Sequence, residues 1–385
     1  MTPTQYRRAP VVHVLDASRA VAVVSALLTE NEADKNAFTS QIRDEYQKIR
    51  TDRAGRQAAK NWLDLNAARA NKFHADFKQH PPVAPKFTGV KTFENYDLAE
   101  IARYIDWTPF FQSWQLYGKY PLIFDDPTIG AEAKKLYQDA EQMLERIIAE
   151  KWLSASAVIG IFPARSTGDD IEIFDPENGK TLAWSRHLRQ QNQKAASQPN
   201  YCLADFVSDQ SADWIGAFAV TAGLGLEKWV AHFESLHDDY SAILLKALAD
   251  RLAEALAERM HERIRTEFWA YTPEESLHNQ DLIDEKYAGI RPAPGYPACP
   301  DHTEKRAIWS LLQPDRLGIT LTESFAMSPA AAVSGWYFAH PEARYFGLGQ
   351  IGKDQVEDYA QRKAMSVKEI ERWLAPVLNY ETSAE

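Results

Sequence analysis

A ten-residue segment rich in proline, RPAPGYPACP at residues 291–300, carries side chains that could bind a small ligand. Its four prolines fix φ and remove four backbone donors, so this proline-rich loop has little entropy left to lose on binding. Arg291 could hold a carboxylate through two charge-assisted hydrogen bonds, and Tyr296 offers a flat ring and a hydroxyl beside Gly295. The same composition suits a rigid connector to a helix at Thr303, so the segment alone leaves both interpretations open.

Four carboxylates recur at four-residue spacing in a second segment, which places them along one face of a helix. These residues, the acidic stripe, are Asp250, Glu254, Glu258 and Glu262. Like charges at this spacing repel by about a few tenths of a kcal/mol per pair. Neighbouring arginines can offset that repulsion, so a solvated face and a surface that meets a cation or another domain are both open.

GLGQIG at residues 347–352 matches the short pattern G-x-G-x-x-G of dinucleotide-binding loops. A predicted strand, Ala343–Phe346, precedes it and a predicted helix follows from Asp354, so backbone N–H groups could meet a pyrophosphate. The full fingerprint needs an acidic residue after a second strand, whereas Glu369 and Glu371 fall on a predicted helix. A glycine-rich strand end is the favoured interpretation, and an NAD(P)-dependent oxidoreductase is an alternative function.

Other patterns of side-chain chemistry are missing from the sequence. The ten histidines show no H-E-x-x-H spacing or zinc-like Cys/His cluster, and neither a G-x-S-x-G elbow nor a P-loop occurs. The two cysteines, Cys202 and Cys299, are too few for a disulfide framework. Cys299 is expected to be a packed thiol, because no neighbour in sequence lowers its pKa. We therefore predict no catalytic residue and no metal site.

The composition is that of a globular protein of two or three domains, or of one large domain. The 385 residues are 45% hydrophobic and 25% charged, and the formal net charge of −11 argues against general nucleic-acid binding. No apolar run near the start approaches the roughly 20 residues of a membrane helix, and a signal peptide is not recognisable. We expect a soluble cytoplasmic protein.

Strands and helices alternate irregularly, which predicts an α+β fold with antiparallel strand pairing. The longest predicted helix runs from about Asp239 to Trp269 with a leucine-rich core stripe, and shorter helices are predicted after the capping residues Thr272 and Ser366. The predicted strands are Ala157–Phe162, Asp170–Phe174, Tyr201–Val207, Trp214–Thr221, Gly318–Glu323 and Val333–Phe338.

The first thirty residues predict a strand, Val11–Leu15, and a helix capped by Asp16 or Ser18. One strand and one helix cannot bury their apolar faces alone, so we expect them to belong to a neighbouring domain. The polar stretch 31–80 that follows is a predicted linker, and the main domain is predicted from residue 81.

Long segments of the chain, in the same order, resemble the C-terminal activation module of cobalamin-dependent methionine synthase from about residue 80 to 380. They are YIDWTPFF (104–111), HLRQQ (187–191), NYCLADFV (200–207), IGAFAVTAG (215–223), ALADRLAEALAE (247–258), GIRPAPGYPACPDHTEK (289–305), LTESFAM (321–327), SGWYFAHPEARYF (334–346) and DQVEDYA (354–360). The resemblance implies a remnant of the cobalamin-binding domain at 1–30 and a linker at 31–80. It implies that 81–385 is a single C-shaped α+β domain around a central twisted antiparallel sheet.

The resemblance also implies a repair function. In that family cob(I)alamin is occasionally oxidised to inactive cob(II)alamin, and the module then presents S-adenosylmethionine while flavodoxin or a similar flavoprotein supplies an electron. The implied cofactors are S-adenosylmethionine and cobalamin, and the implied partner is the cobalamin-binding domain. The sequence lacks the D-x-H-x-x-G motif of the cobalt-ligating histidine and the homocysteine and folate modules. We therefore do not expect it to make methionine alone.

Motif positions of that family transfer to particular residues of this sequence. The residues implied to bind S-adenosylmethionine are Asp106, Arg291, Ala293, Tyr345, Phe346 and Glu285. Those implied to face the corrin or the cobalamin domain are Tyr296, Asp250 and Glu254. Phe346 stands where tyrosine is common in the family, so a backbone contact is expected there.

A basic patch within and beside HLRQQ, formed by Arg186, His187 and Arg189, could receive an acidic flavodoxin. A second alternative function remains for the whole chain, namely a docking platform that controls domain arrangement without binding a small ligand.

Overall fold

The computed structural model describes residues 11–14, 17–29, 31–58 and 62–382. It contains two compact units, Met1–Trp62 and Leu63–Glu385. Residues 63–80 of the predicted linker are thus part of the second unit, which begins ahead of the predicted domain start at residue 81.

The described part of the first unit contains two helices, α1 (Ala17–Leu28) and α2 (Glu32–Ala58). Val21 and Leu28 of α1 are exposed. Residues 11–14 form no strand. The other predictions for this segment concern positions outside the described residues: Leu15, the Asp16 cap and the Ser18 side chain.

The second unit is built on a six-stranded sheet in which every pairing is antiparallel, as predicted. The order is β4-β3-β2-β5-β8, and β1 pairs with the first part of β2. The strands in chain order, including a separate pair formed by β6 and β7, are β1 (Gly89–Tyr96), β2 (Ser154–Thr167), β3 (Asp170–Phe174), β4 (Thr181–Arg186), β5 (Asp213–Leu224), β6 (Thr320–Leu321), β7 (Met327–Ser328) and β8 (Ala332–Tyr337).

Helices cover both faces of this sheet, which confirms the α+β class. They are α3 (Leu65–Ala70), α4 (Leu98–Ala102), α5 (Thr108–Ser113), α6 (Gly130–Ala149), α7 (Leu226–Ser235), α8 (Asp239–Arg263), α9 (Asn279–Ile283), α10 (Lys305–Leu312), α11 (Lys353–Lys363) and α12 (Val367–Leu374). None of the helices in the described ranges has the length and apolarity that crossing a membrane requires.

Alternate residues of β5 pack in two separate hydrophobic cores, because successive side chains of a strand point to opposite faces of the sheet. Phe218 and Val220 pack in the core that contains α8, whereas Ala217 and Ala219 pack in the core that contains Ile308 of α10. The sheet therefore separates the two helical layers and fixes α8 relative to the strands.

The predicted long helix is confirmed as α8, which continues into a π-helical turn at Ile264–Phe268. Asp238 caps its N-terminus by accepting a hydrogen bond from the Ser241 N–H. The predicted core stripe is fully buried at Leu245, Leu248, Leu252, Leu256, Met260 and Ile264. Its regular spacing therefore places the opposite face of the helix, with the acidic stripe, away from this core.

Besides the strands predicted at 11–15 and 343–346, three predicted elements are wrong or too long. Tyr201–Val207 is not a strand but contains a 3-10 turn, Leu203–Phe206, in which the Asp205 carboxylate accepts the Cys202 N–H. Gly318–Glu323 keeps only the two residues of β6. The helix predicted after Thr272 does not form, because the Glu275 carboxylate pairs with Arg265 of the π-helical turn instead.

The predicted final helix is confirmed as α12. Ser366 caps α12 by accepting the Glu369 N–H.

Strands β1 and β4 were not predicted. Most of β1 and β4 is exposed or half-buried, so neither strand shows the apolar run by which the inner strands were recognised.

Candidate functional site

The proline-rich loop is fixed against the edge of β8 by backbone hydrogen bonds. Ile290, just before it, pairs with Phe338, and the Pro292 carbonyl accepts the Trp336 N–H at 2.9 Å. Within the loop, the Gly295 N–H donates to the Cys299 carbonyl at 2.7 Å. The loop is therefore a preformed element carried by the sheet.

Gly295 is required at the turn of the loop for two reasons. Its φ of +100° lies in the region that favours glycine. A Cβ at this position would also lie 2.3 Å from Cε1 of His302. The turn leaves Tyr296 56% exposed, so its ring projects to the surface as predicted.

Arg291 is held from the inside by acidic and hydroxyl groups. Its Nη1 lies 2.8 Å from Glu258 Oε2 of α8 and donates to the Tyr287 hydroxyl at 2.9 Å. Burial is the largest single influence and opposes the charge of Arg291, but Glu258 together with the nearby tyrosines and Glu254 outweighs it and raises the pKa of the guanidinium. The side chain is 20% exposed, and the described residues provide no hydrogen-bond partner for Nε or Nη2. Those two nitrogens remain free for a ligand.

Tyr345 and Glu285 are brought close to Arg291. The Tyr345 hydroxyl accepts the backbone N–H of Arg291 at 3.0 Å, and 37% of the residue is exposed. Burial raises the pKa of Tyr345, and the exposed Glu285 carboxylate acts on it in the same direction. These three predicted residues therefore share one region of the surface.

Ala293 keeps a backbone donor available in the same loop. Its carbonyl accepts the Tyr296 N–H at 3.1 Å, and within the described residues its own N–H has no acceptor. The flanking residues Pro292 and Pro294 carry no N–H, so the Ala293 N–H is the backbone donor that residues 292–294 can offer.

Asp106 and Phe346 make their recorded contacts elsewhere. The Asp106 carboxylate accepts the Thr108 N–H at 2.9 Å, at the start of α5. Phe346 is half-buried in the second core and stacks on Tyr201 with 5.7 Å between ring centroids. The structure records no contact that joins either residue to Arg291.

The predicted cobalamin-facing residues lie together. Burial raises the pKa of Tyr296, and the carboxylates of Glu254 and Asp250 on α8 act in the same direction. Burial also raises the pKa of Glu254, against the effect of Arg251 and Arg291. The first two members of the acidic stripe thus adjoin the proline-rich loop.

The acidic stripe is not one uniform solvated face. Glu258 is only 8% exposed and pairs with Arg291, whereas Glu262 pairs with Arg259 and accepts the Tyr104 hydroxyl. Sequence reasoning placed Glu258 in the stripe but missed its role at Arg291, and it missed Tyr287 entirely because no motif marks that residue.

The basic patch at HLRQQ is contradicted by the structure. His187 is 2% exposed and Arg189 is 1% exposed. Arg189 makes ion pairs of 2.7 Å with both Asp169 and Asp205. A buried charge needs such partners. The two carboxylates neutralise the Arg189 charge that was expected to meet a flavodoxin.

The GLGQIG loop does not form a phosphate-binding turn. No strand precedes it at 343–346. The Gly352 N–H at the start of α11 donates to Gln191 Oε1 at 2.8 Å, and the Leu348 N–H donates to the Pro297 carbonyl at 2.9 Å. These donors are already used, and one of them anchors the proline-rich loop.

Cys299 is a packed thiol as predicted, since it is 4% exposed and burial raises its pKa well above the ordinary value. The described residues contain no group of three or more His, Cys, Asp or Glu side chains placed to hold a metal ion.

Comparison with known families gives a match over residues 97–364 to the vitamin B12 dependent methionine synthase activation domain. The chain is also similar to the crystal structure of the MetH reactivation domain bound to AdoHcy, with 53% sequence identity and a TM-score of 0.80. That match covers 83% of this chain and 99% of the solved one. The family match includes α8, the proline-rich loop and Tyr345. This chain belongs to the family of activation domains of vitamin B12-dependent methionine synthase.

Proposed function

We propose that this chain binds S-adenosylmethionine and positions its methyl group for the reductive methylation of cob(II)alamin to methylcobalamin. The observation that carries the proposal is the state of Arg291. Its inner nitrogen is fixed by Glu258 and Tyr287, and its remaining nitrogens are free beside the exposed Tyr345. A guanidinium fixed in this way is suited to a ligand carboxylate.

The polar groups around Arg291 match the functional groups of S-adenosylmethionine. Arg291 would take the carboxylate, and the free N–H of Ala293 would donate to another acceptor of the ligand. Tyr345 would lie beside the adenosine or the sulfonium, where a ring contributes about 0.5–2 kcal/mol of cation–π attraction. The exposed carboxylate of Glu285 would accept from the ligand ammonium or a ribose hydroxyl.

Two further residues are proposed on the family resemblance. Asp106 retains a carboxylate oxygen, Oδ2, without a recorded partner among the described residues, and it would accept a hydrogen bond from the ligand. Phe346 would contribute through its backbone, because its ring is already packed against Tyr201.

Cobalamin would supply the chemistry of the transfer, since its reduced cobalt is the acceptor of the sulfonium methyl group. The contribution of this chain would be orientation, which makes an encounter of two molecules effectively unimolecular. That role requires no general base or nucleophile from the protein. The chain would act as a methyltransferase module, as its family does. We do not expect methionine synthesis by this chain alone.

The surface formed by Tyr296, Asp250 and Glu254 would meet cobalamin and its binding domain. Tyr296 presents a flat, exposed ring suited to a macrocycle, and the two acids next to it would accept hydrogen bonds from the incoming domain. A flavodoxin-like electron donor is proposed from the family alone, because the buried HLRQQ side chains do not support a docking patch for it.

Calorimetric titration of the purified chain tests this function and separates it from both alternatives. We expect saturable one-to-one binding of S-adenosylmethionine and no binding of NADH, because three N–H groups of GLGQIG are occupied and no strand precedes it. Binding of NADH would favour the oxidoreductase. A folded sample that binds neither ligand but associates with a cobalamin domain would favour the docking platform.

A further inference from the structure

Glu258 is a buried carboxylate whose position in the acidic stripe suggested no specific role. Its Oε2 lies 2.8 Å from Arg291 Nη1. Its Oε1 has no hydrogen-bond partner among the described residues and lies 3.8 Å from Arg265 Nη1. Asp250 pairs with Arg251 and Glu262 pairs with Arg259, whereas Glu254 makes no ion pair within the described residues, although Arg251 and Arg291 both oppose the rise of its pKa. Within the stripe, Glu258 is thus the residue that pairs with Arg291.

A second layer of buried groups keeps Glu258 and Arg291 in place. Glu275 pairs with Arg265 at 2.8 Å, so charges alternate from Glu275 through Arg265 and Glu258 to Arg291. The Arg265 guanidinium lies 4.3 Å from the centroid of the Tyr287 ring, and the Tyr287 hydroxyl accepts from Arg291. Arg265 is fully buried, so this layer has little freedom to move.

All of the recorded side-chain contacts of Arg291 converge on one nitrogen. Glu258, Tyr287 and, at 3.5 Å, His261 Nδ1 surround Nη1. Because the guanidinium is planar and rigid, contacts that hold Nη1 also restrict rotation of the whole group, including its opposite edge. The edge that carries Nε and Nη2 is therefore held in one orientation.

We propose that Glu258 is a positioning residue that orients Arg291 towards the carboxylate of the bound ligand. This inference rests on the proposed binding of S-adenosylmethionine through Arg291 and adds the residue that orients this arginine. Glu258 does not touch the ligand itself. It acts by restraining the arginine before binding, so that less conformational entropy is lost when the carboxylate arrives.

The direction in which Glu258→Gln changes the affinity for an anionic group separates a positioning role of Glu258 from a purely electrostatic one. Removing the negative charge of Glu258 would by Coulomb's law strengthen the attraction between Arg291 and an anionic group. Loss of orientation would instead weaken it. A weaker complex in the Gln variant therefore cannot come from the charge change acting on the ligand carboxylate. A decarboxylated analogue of S-adenosylmethionine keeps the sulfonium and the amine, so it reports any loss of attraction for those cationic groups.

The test is calorimetric titration of wild type and Glu258→Gln with S-adenosylmethionine and with its decarboxylated analogue. We expect S-adenosylmethionine to bind about tenfold more weakly to the variant, the scale of coupling between residues in contact. The decarboxylated analogue should bind wild type and variant equally, because it offers no group to Arg291. Glu262→Gln, the same change one turn along α8, is the matched control and should not alter either affinity.

Equal losses for both ligands would overturn the proposal in favour of general loosening of the site, and unchanged or tighter S-adenosylmethionine binding would overturn it directly. If Glu258→Gln does not fold, Tyr287→Phe removes a second acceptor of Nη1 and should show the same ligand-selective loss. Wild-type protein that binds neither ligand would overturn the proposed function and this inference together. Wild-type binding with an unaffected variant would overturn the inference alone.

Discussion

Arg291→Ala is expected to weaken S-adenosylmethionine binding about 10- to 150-fold, corresponding to about 1.5–3 kcal/mol for a hydrogen bond to a charged group. The free edge of Arg291 is the strongest donor at the site, and alanine offers no replacement. The same change leaves Glu258 with only the more distant Arg265 at 3.8 Å. We therefore expect a lower free energy of unfolding as well, and both quantities must be measured.

Arg291→Lys separates these two effects. Lysine keeps the positive charge but lacks the planar fork, so it can neutralise Glu258 without also presenting a second edge to the ligand. We expect stability close to wild type in urea denaturation and affinity close to that of Arg291→Ala in calorimetry. Arg316→Ala changes the net charge as Arg291→Ala does but at an exposed site, so it is the control for net charge. Unchanged affinity in folded Arg291→Ala would show that the ligand binds elsewhere.

Arg189→Met should destabilise the fold by about 3–5 kcal/mol, the usual cost of removing one partner from a buried ion pair. The Arg189 guanidinium donates to Asp169 at 2.8 Å and to both carboxylate oxygens of Asp205 at 2.8 and 2.7 Å. Methionine fills the volume but leaves these acids without their main cation, although Asp169 retains Arg69. Urea denaturation followed by tryptophan fluorescence would measure the loss.

Arg165→Ala is the matched control for the buried ion pair. Arg165 pairs with Glu172, but its side chain is 55% exposed, and an exposed pair contributes about 0–1 kcal/mol. We expect the two variants to differ by at least about 2 kcal/mol on this basis. A similar, small loss in both variants would mean that Arg189 is solvated, and the surface-patch interpretation of HLRQQ would then regain its basis.

The elements that were predicted correctly are those set by local pattern. The leucine spacing of α8, the Ser366 cap of α12 and the extended segments at β3 and β5 depend on residues close in sequence. The exposed Tyr296 also follows locally, because the proline content of the loop and Gly295 fix a turn. The sequence carried this information without any long-range contact.

The errors share a different cause. The segment 201–207 has the composition of a strand, but Asp205 pairs with Arg189 and caps its own turn, which a propensity cannot anticipate. GLGQIG has the spacing of a nucleotide loop, but the Gln191 side chain and the Pro297 carbonyl accept two of its N–H groups. In each case a partner remote in sequence overrides the local pattern.

The sequence by itself determined the family and the α+β class and indicated the segments of the proposed site, because long motifs and periodic apolar residues are local properties of the chain. Only the tertiary structure decided which charges are buried and which are available. Arg189 and Arg291 look alike in the sequence, yet both ends of the Arg189 guanidinium are occupied, whereas Arg291 retains a free edge. The physical reason is that a buried charge must be neutralised by its spatial neighbours, and those neighbours are assembled only when the sheet and α8 come together.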